Sequence, residues 1–203
     1  QILSSLRVLK DERNADLHLH EMLDNARILY NKGLYHQTLK ILERIKEYAR
    51  AHHQLTYLQQ ALFFEKKIEA LYITRSLQTR AEELATESKD VSERITNVND
   101  LSSLNLLLYG WYIQNGHARN EKDVKTVQAF LDKHLPKNIG DSFYEKVYLY
   151  QCYVWHAYIK LDFLMYYRYC QKWVDVFEQN PKMIEAETAM YVKGMHNLMS
   201  AHF

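Results

Sequence analysis

The chain has 203 residues, enough to bury a substantial core, and its 13% aromatic content beside five Gly and two Pro excludes a disordered segment and a turn-rich β fold. Lys and Arg total 26 against 25 Asp and Glu, so the charge balance offers no footprint for a polyanion, and DNA or RNA is not expected as the main partner. No apolar run reaches the roughly 18 residues of a bilayer span and no basic-then-apolar leader opens the chain, so no membrane association is expected.

The opening "QILSSLRVLK" already has helical periodicity and reads as the second helix of a preceding pair. The chain is accordingly expected to be a fragment of a longer protein. Leu19, Met22, Leu23, Ala26, Leu29 and Tyr30 recur at steps of three and four, which predicts a helix with one buried face. In "NKGLYHQTLKILERI", Gly33 ends that helix, and Tyr35, Thr38, Leu39, Leu42, Ile45 and Tyr48 resume the spacing. A connection this short allows only an antiparallel pair.

A second run, about 54–74, leads to Ser76 as an N-cap and then to Leu77, Ala81, Leu84, Ser88, Val91, Ile95 and Val98. The steps of four and three make a narrow seam. It fits an exposed helix resting on its neighbours, with a coiled-coil partner as the alternative. Asn99 or Asp100 is predicted to cap the first helix of a third hairpin, "DLSSLNLLLYGWYIQNG", closed at Gly116, and Asn120 to cap the second, which carries Val124, Val127, Leu131 and Leu135. After Pro136 and Gly140, Ser142 and Glu145 stand in capping-box spacing and open a fourth pair. Its first helix runs to Leu161, and its second presents Phe163, Tyr166, Tyr167, Cys170, Trp173, Val174 and Phe177. Asn180 followed by Pro181 is expected to start a ninth long helix. The breaks near Gly33, Ser76, Gly116 and Leu161 recur about every 40 to 45 residues, the signature of stacked hairpins.

The elbow at Asn31 to Ile45 resembles the tetratricopeptide repeat (TPR), with Ala26, Gly33, Tyr35, Thr38, Leu42 and Ile45 in the matching roles. "LYGWY" with Gly110 as a close-packing residue, "KLDFLMYYRY" with Asp162 and Phe163 at the elbow, and "YVKGMHNL" with Gly194 look like further copies. The full W-x2-L-G-x2-Y pattern is absent and the period is longer than the usual 34, as in a divergent, long-helix variant. The resemblance covers nearly the whole chain, 1–203, as a single array. It implies an all-α fold of antiparallel hairpins stacked as a right-handed superhelix, whose first helices line a concave groove for a protein or peptide. Carried onto this sequence, the groove positions are Arg27, Tyr30 and Asn31 in the first hairpin, Trp111, Gln114 and Asn115 in the third, and Trp155 and Tyr158 in the fourth.

Ten histidines invite a search for metal ligands. His18 and His20 are two apart on a helix and diverge, and in "HEMLD" Asp24 stands where the H-E-x-x-H motif requires its second histidine. Neither a Gly-rich phosphate loop nor a G-x-S-x-G elbow occurs. Cys152 and Cys170 lack paired spacing and read as buried free thiols of a reducing, cytoplasmic compartment. Cys152 and His156 stand i, i+4, a possible thiolate pair that an apolar helix makes more consistent with packing. The expectation is a non-catalytic binding scaffold without cofactor or metal, with a sensor or regulatory module of a larger signalling or transcription protein as the alternative. Apolar end faces of a cut array would also allow self-association.

Overall fold

The computed structural model describes residues 15–72 and 77–201. Among them every regular element is helical: α1 (Ala15–Asn31), α2 (Tyr35–Ala51), α3 (Leu55–Tyr72), α4 (Leu77–Asn115), α5 (Glu121–His134), α6 (Phe143–Lys160), α7 (Phe163–Glu178), α8 (Pro181–Ala186) and α9 (Thr188–Ser200). The chain divides into two compact units, Gln1–Glu93 and Arg94–Phe203. The opening helix and the Ser76 cap lie outside the described residues. No described helix is long and apolar enough to cross a membrane.

In the first unit, Gly33 takes φ +75°, which turns the chain so that the Gly33 and Leu34 amides donate to the carbonyls of Tyr30 and Leu29. α2 then packs back on α1 and also receives α3. Leu19, Leu23 and Ala26 of α1, Leu42, Ile45 and Ala49 of α2, and Leu58, Ala61, Leu62 and Ile68 of α3 form the buried apolar faces. Apolar periodicity does not reveal the charged core beside them. Lys46 is 1% exposed, with Nζ 2.6 Å from Glu65 and 2.7 Å from Glu43, and the Arg80 guanidinium of α4 closes on Glu65 and Glu43 from the other side. Such a network survives burial because each charge has opposite charge in contact. It orients α2, α3 and the start of α4 relative to one another.

One expectation is corrected by α4. It runs unbroken through Asn99 and Asp100 for 39 residues, so no third-hairpin helix begins there. The residues with capping chemistry are engaged otherwise. Asn97 reaches sideways to the Asn138 carbonyl at 2.8 Å and to Glu145 at 2.8 Å, and Ser102 Oγ donates to the Asn99 carbonyl at 2.9 Å. With no Gly or Pro before Gly110, the helix propagates. Its seam residues Leu84, Ser88 and Val91 are buried within the chain, as for a helix resting on its neighbours.

In the second unit α6 is a wedge between two clusters. On one side Cys152 and Ile159 meet Leu104 and Leu108 of α4 and Val127 and Leu131 of α5. On the other, Phe143, Val147 and Val154 meet Cys170, Trp173, Val176 and Phe177 of α7, with Met183 of α8. The Ser142–Glu145 capping box forms as its spacing predicts. The fully buried Glu145 carboxylate also accepts from the Gly140 amide at 3.0 Å and from Asn97. Burial alone raises this carboxyl, but the hydrogen bonds from Ser142, Asn97 and Gly140 outweigh it and hold the group below the ordinary carboxylate value. Asn120 caps α5 through Asp123 as expected from sequence, and Asp162, expected only at an elbow, caps α7 through Met165.

The expected ninth long helix is two helices. α8 stops after six residues and α9 begins at Thr188, with Glu187 between them at φ −126°, ψ 43°. The Glu187 carboxylate accepts from Tyr144 at 2.7 Å, and Thr188 Oγ1 donates to the Ile184 carbonyl, so side chains serve backbone and carboxylate groups at the break. α9 consequently packs on α7. At Gly194 the packing is close, since a Cβ would lie 3.2 Å from the Trp173 indole and the ring would have to shift slightly. Gly110 is not a close-packing residue, since a Cβ there meets nothing within 4 Å.

Candidate ligand cavity

Within the Arg94–Phe203 unit, α4, α6, α7 and α9 line a cavity of about 410 Å³. Each helix contributes residues spaced by three, four or seven, the stripe that one helix face presents to a common space. α4 supplies Asn105 and Tyr112; α6 supplies Gln151, Trp155 and Tyr158; α7 supplies Tyr166 and Trp173; and α9 supplies Lys193, His196, Asn197 and Ser200.

The aromatic wall is continuous. Tyr112 lies 5.7 Å from Trp155 and 5.2 Å from Tyr158, Trp155 lies 5.9 Å from Tyr158, and Tyr158 lies 5.7 Å from Tyr166, as ring-centroid distances. These are the tilted and edge-to-face arrangements that ring quadrupoles favour. The hydrogen bond with Tyr112, reinforced by burial, pushes the Tyr158 phenol up, and burial with Cys170 alongside pushes Tyr166 up. Both phenols are therefore neutral near pH 7.

Two buried polar atoms of the lining residues have no partner within the chain. Asn105 Nδ2 donates to Gln151 Oε1 at 3.0 Å, while Asn105 Oδ1 has no hydrogen-bond donor. Trp173 is 4% exposed and its indole N–H has no acceptor. Both atoms are buried and do not open onto the cavity, and the Trp173 ring packs against Gly194. Lys193 is the cation of the lining, and no Asp or Glu stands among the residues that line it.

The thiols and the nearby imidazole are not poised for reaction. Cys152 Sγ donates to the Leu101 carbonyl at 3.3 Å, and burial pushes this thiol up to about 12 and Cys170 likewise to about 12. His156 is pushed down to about 4 by burial and by Lys160, so it is neutral near pH 7. A Cys152–His156 thiolate pair needs the opposite shifts, and packing is the better account. In the first unit, His18 rests on Tyr48 and His20 on Tyr57, so the two imidazoles serve different neighbours.

The eight residues expected to face a groove divide among three settings. Trp155 and Tyr158 are brought together in the cavity wall. Trp111 is half-buried against the α4–α5–α6 cluster and does not line the cavity; Gln114 and Asn115 are exposed beyond it, with Asn115 donating to the Trp111 carbonyl at 2.8 Å. Arg27, Tyr30 and Asn31 belong to the first unit. There Arg27 pairs with Asp24 at 3.1 Å, Tyr30 packs on Tyr35 and Phe64 under the Lys67 ammonium, and Asn31 is exposed at the end of α1. On α4 it is Tyr112 that faces the cavity, while Trp111 packs on the neighbouring cluster. Asn105, Gln151, Lys193 and Asn197 escape a sequence reading because a polar residue on an amphipathic helix looks solvated until its neighbours are known. The available signal was the seven-residue spacing that links Asn105 to Tyr112 and Tyr166 to Trp173.

No protein-family model matches this chain, and comparisons with curated proteins and with solved structures also return no match.

Proposed function

We propose that this chain is a non-catalytic binding module whose Arg94–Phe203 unit takes a small effector in the α4–α6–α7–α9 cavity. The observation that carries the reading is the lining itself, a continuous aromatic wall set with the Gln151 and Asn197 amides, in a volume typical of small-molecule sites. Hairpins that turn at Gly33 and at Leu161, and the close packing at Gly194, support a TPR-like organisation of the helices. The shifts of Cys152, Cys170 and His156 away from reactivity favour binding over catalysis.

Ligand-observed NMR with a library of small aromatic compounds tests the proposal. Compounds that bind the wild-type chain should lose binding to a folded Trp155→Ala variant. A library in which no hit depends on Trp155 would sink it.

A second reading, a protein- or peptide-binding scaffold, is favoured by Leu106 and Ile113, 68% and 64% exposed and seven residues apart on α4. Exchanging both for Glu should abolish capture of a partner while leaving small-molecule binding intact, which separates the two readings.

A further inference from the structure

We infer that the cavity ligand is a flat ring with a polar edge that also carries an anionic group, a chemistry shared by mononucleotides and aromatic carboxylic acids. The inference rests on the binding reading above and goes on to name what is bound. Three features of the lining converge on it.

The first is the ring stack. Tyr112, Trp155, Tyr158 and Tyr166 present faces and edges to a planar guest, each stacking contact contributing on the order of 1–3 kcal/mol. The second is the polar part of the lining. The Gln151 and Asn197 amides stand among the rings, so a guest with donors and acceptors on its edge can pair with groups that a plain hydrocarbon ring leaves unused.

The third is charge. An aromatic wall could also attract a cation, but the sites that do so gain from the ring faces without a competing ammonium. Here Lys193 stands in the lining, forms no ion pair with a described residue, and has no lining carboxylate to offset it. A cationic guest would be repelled and an anionic one attracted.

Calorimetry on the full chain with a matched series tests this: indole-3-acetate, indole and tryptamine share a ring and differ in charge. Binding should be about three- to tenfold tighter for indole-3-acetate than for indole, and weakest for tryptamine. Lys193→Met should erase the advantage of the acetate while leaving indole binding in place. Ser200→Trp, an exposed change at the cavity lining, should block all three without loss of fold. AMP and inorganic phosphate distinguish the source of the anion. AMP tighter than indole-3-acetate assigns a phosphorylated ring and the reverse a carboxylate, whereas phosphate alone binding as well as AMP would overturn a role for the ring. Tryptamine or indole binding as tightly as indole-3-acetate overturns the charge inference but leaves the binding reading standing. If no probe binds at millimolar concentration, both fall.

Discussion

Two buried charges define what single residues contribute to this molecule. Lys46 is held among Glu43, Glu65 and, through them, Arg80, and burial is tolerated only because the opposite charges are in contact. Lys46→Met should lower stability by about 3 kcal/mol in urea unfolding, since Glu65 loses its closest buried partner, and a Lys46→Met, Glu65→Leu pair should recover part of that loss. Glu145 has four donors from Ser142, Gly140 and Asn97. Its folded value lies below the ordinary 4.5, so the unfolded chain takes up the proton first on acidification. Its stabilising contribution is complete above about pH 4.5 and is lost as pH falls through the folded value. Glu145→Gln puts an amide where two backbone N–H groups donate, and should cost about 1–3 kcal/mol at neutral pH. It should also flatten the fall in stability as pH drops below about 4.5.

Among elements, α4 departs most from a hairpin repeat. Asparagine and aspartate at 99 and 100 have the chemistry of an N-cap, but a cap is made only where the preceding residues leave the helix, and nothing between Leu77 and Gly110 forces them out. Asn99→Pro discriminates the two arrangements. In the interior of a continuous helix it should destabilise by about 3 kcal/mol, whereas at a helix start it would be nearly silent; chemical unfolding reads the difference. Gly110 has room for a methyl group and helical backbone, so Gly110→Ala should stabilise by about 0.5–1 kcal/mol, seen as a higher melting temperature. Gly194, by contrast, is closed in by Trp173. Both glycines sit in similar sequence surroundings, and only the approach of a second helix tells them apart.

For the molecule as a whole, the cavity sits in one of the two compact units, so ligand binding should be visible there first. Binding to the folded state alone should add about 2.7 kcal/mol of stability at a ligand concentration 100 times Kd. Hydrogen exchange should slow in α6, α7, α9 and the part of α4 beyond Arg94, the elements that line the cavity. A ligand that slowed exchange only in residues 15–72 would place the binding elsewhere.

Helices, most turns and the caps at Asn120 and Ser142 could be read from the chain because they depend on neighbours within about four residues: an apolar step, a Gly, an Asn or Ser before a helix. The same locality explains why Leu42, Ile45, Val147 and Phe177 could be recognised as core. The unbroken α4, the break at Glu187, the charged core around Lys46 and the cavity needed the tertiary structure. Each depends on groups brought together from distant parts of the chain, as Asn97 is to Glu145, Tyr144 to Glu187, Lys46 to Glu65 and Asn105 to Gln151. Periodicity says which face of a helix is apolar, but which polar residues on the other face meet one another is settled only when the helices pack.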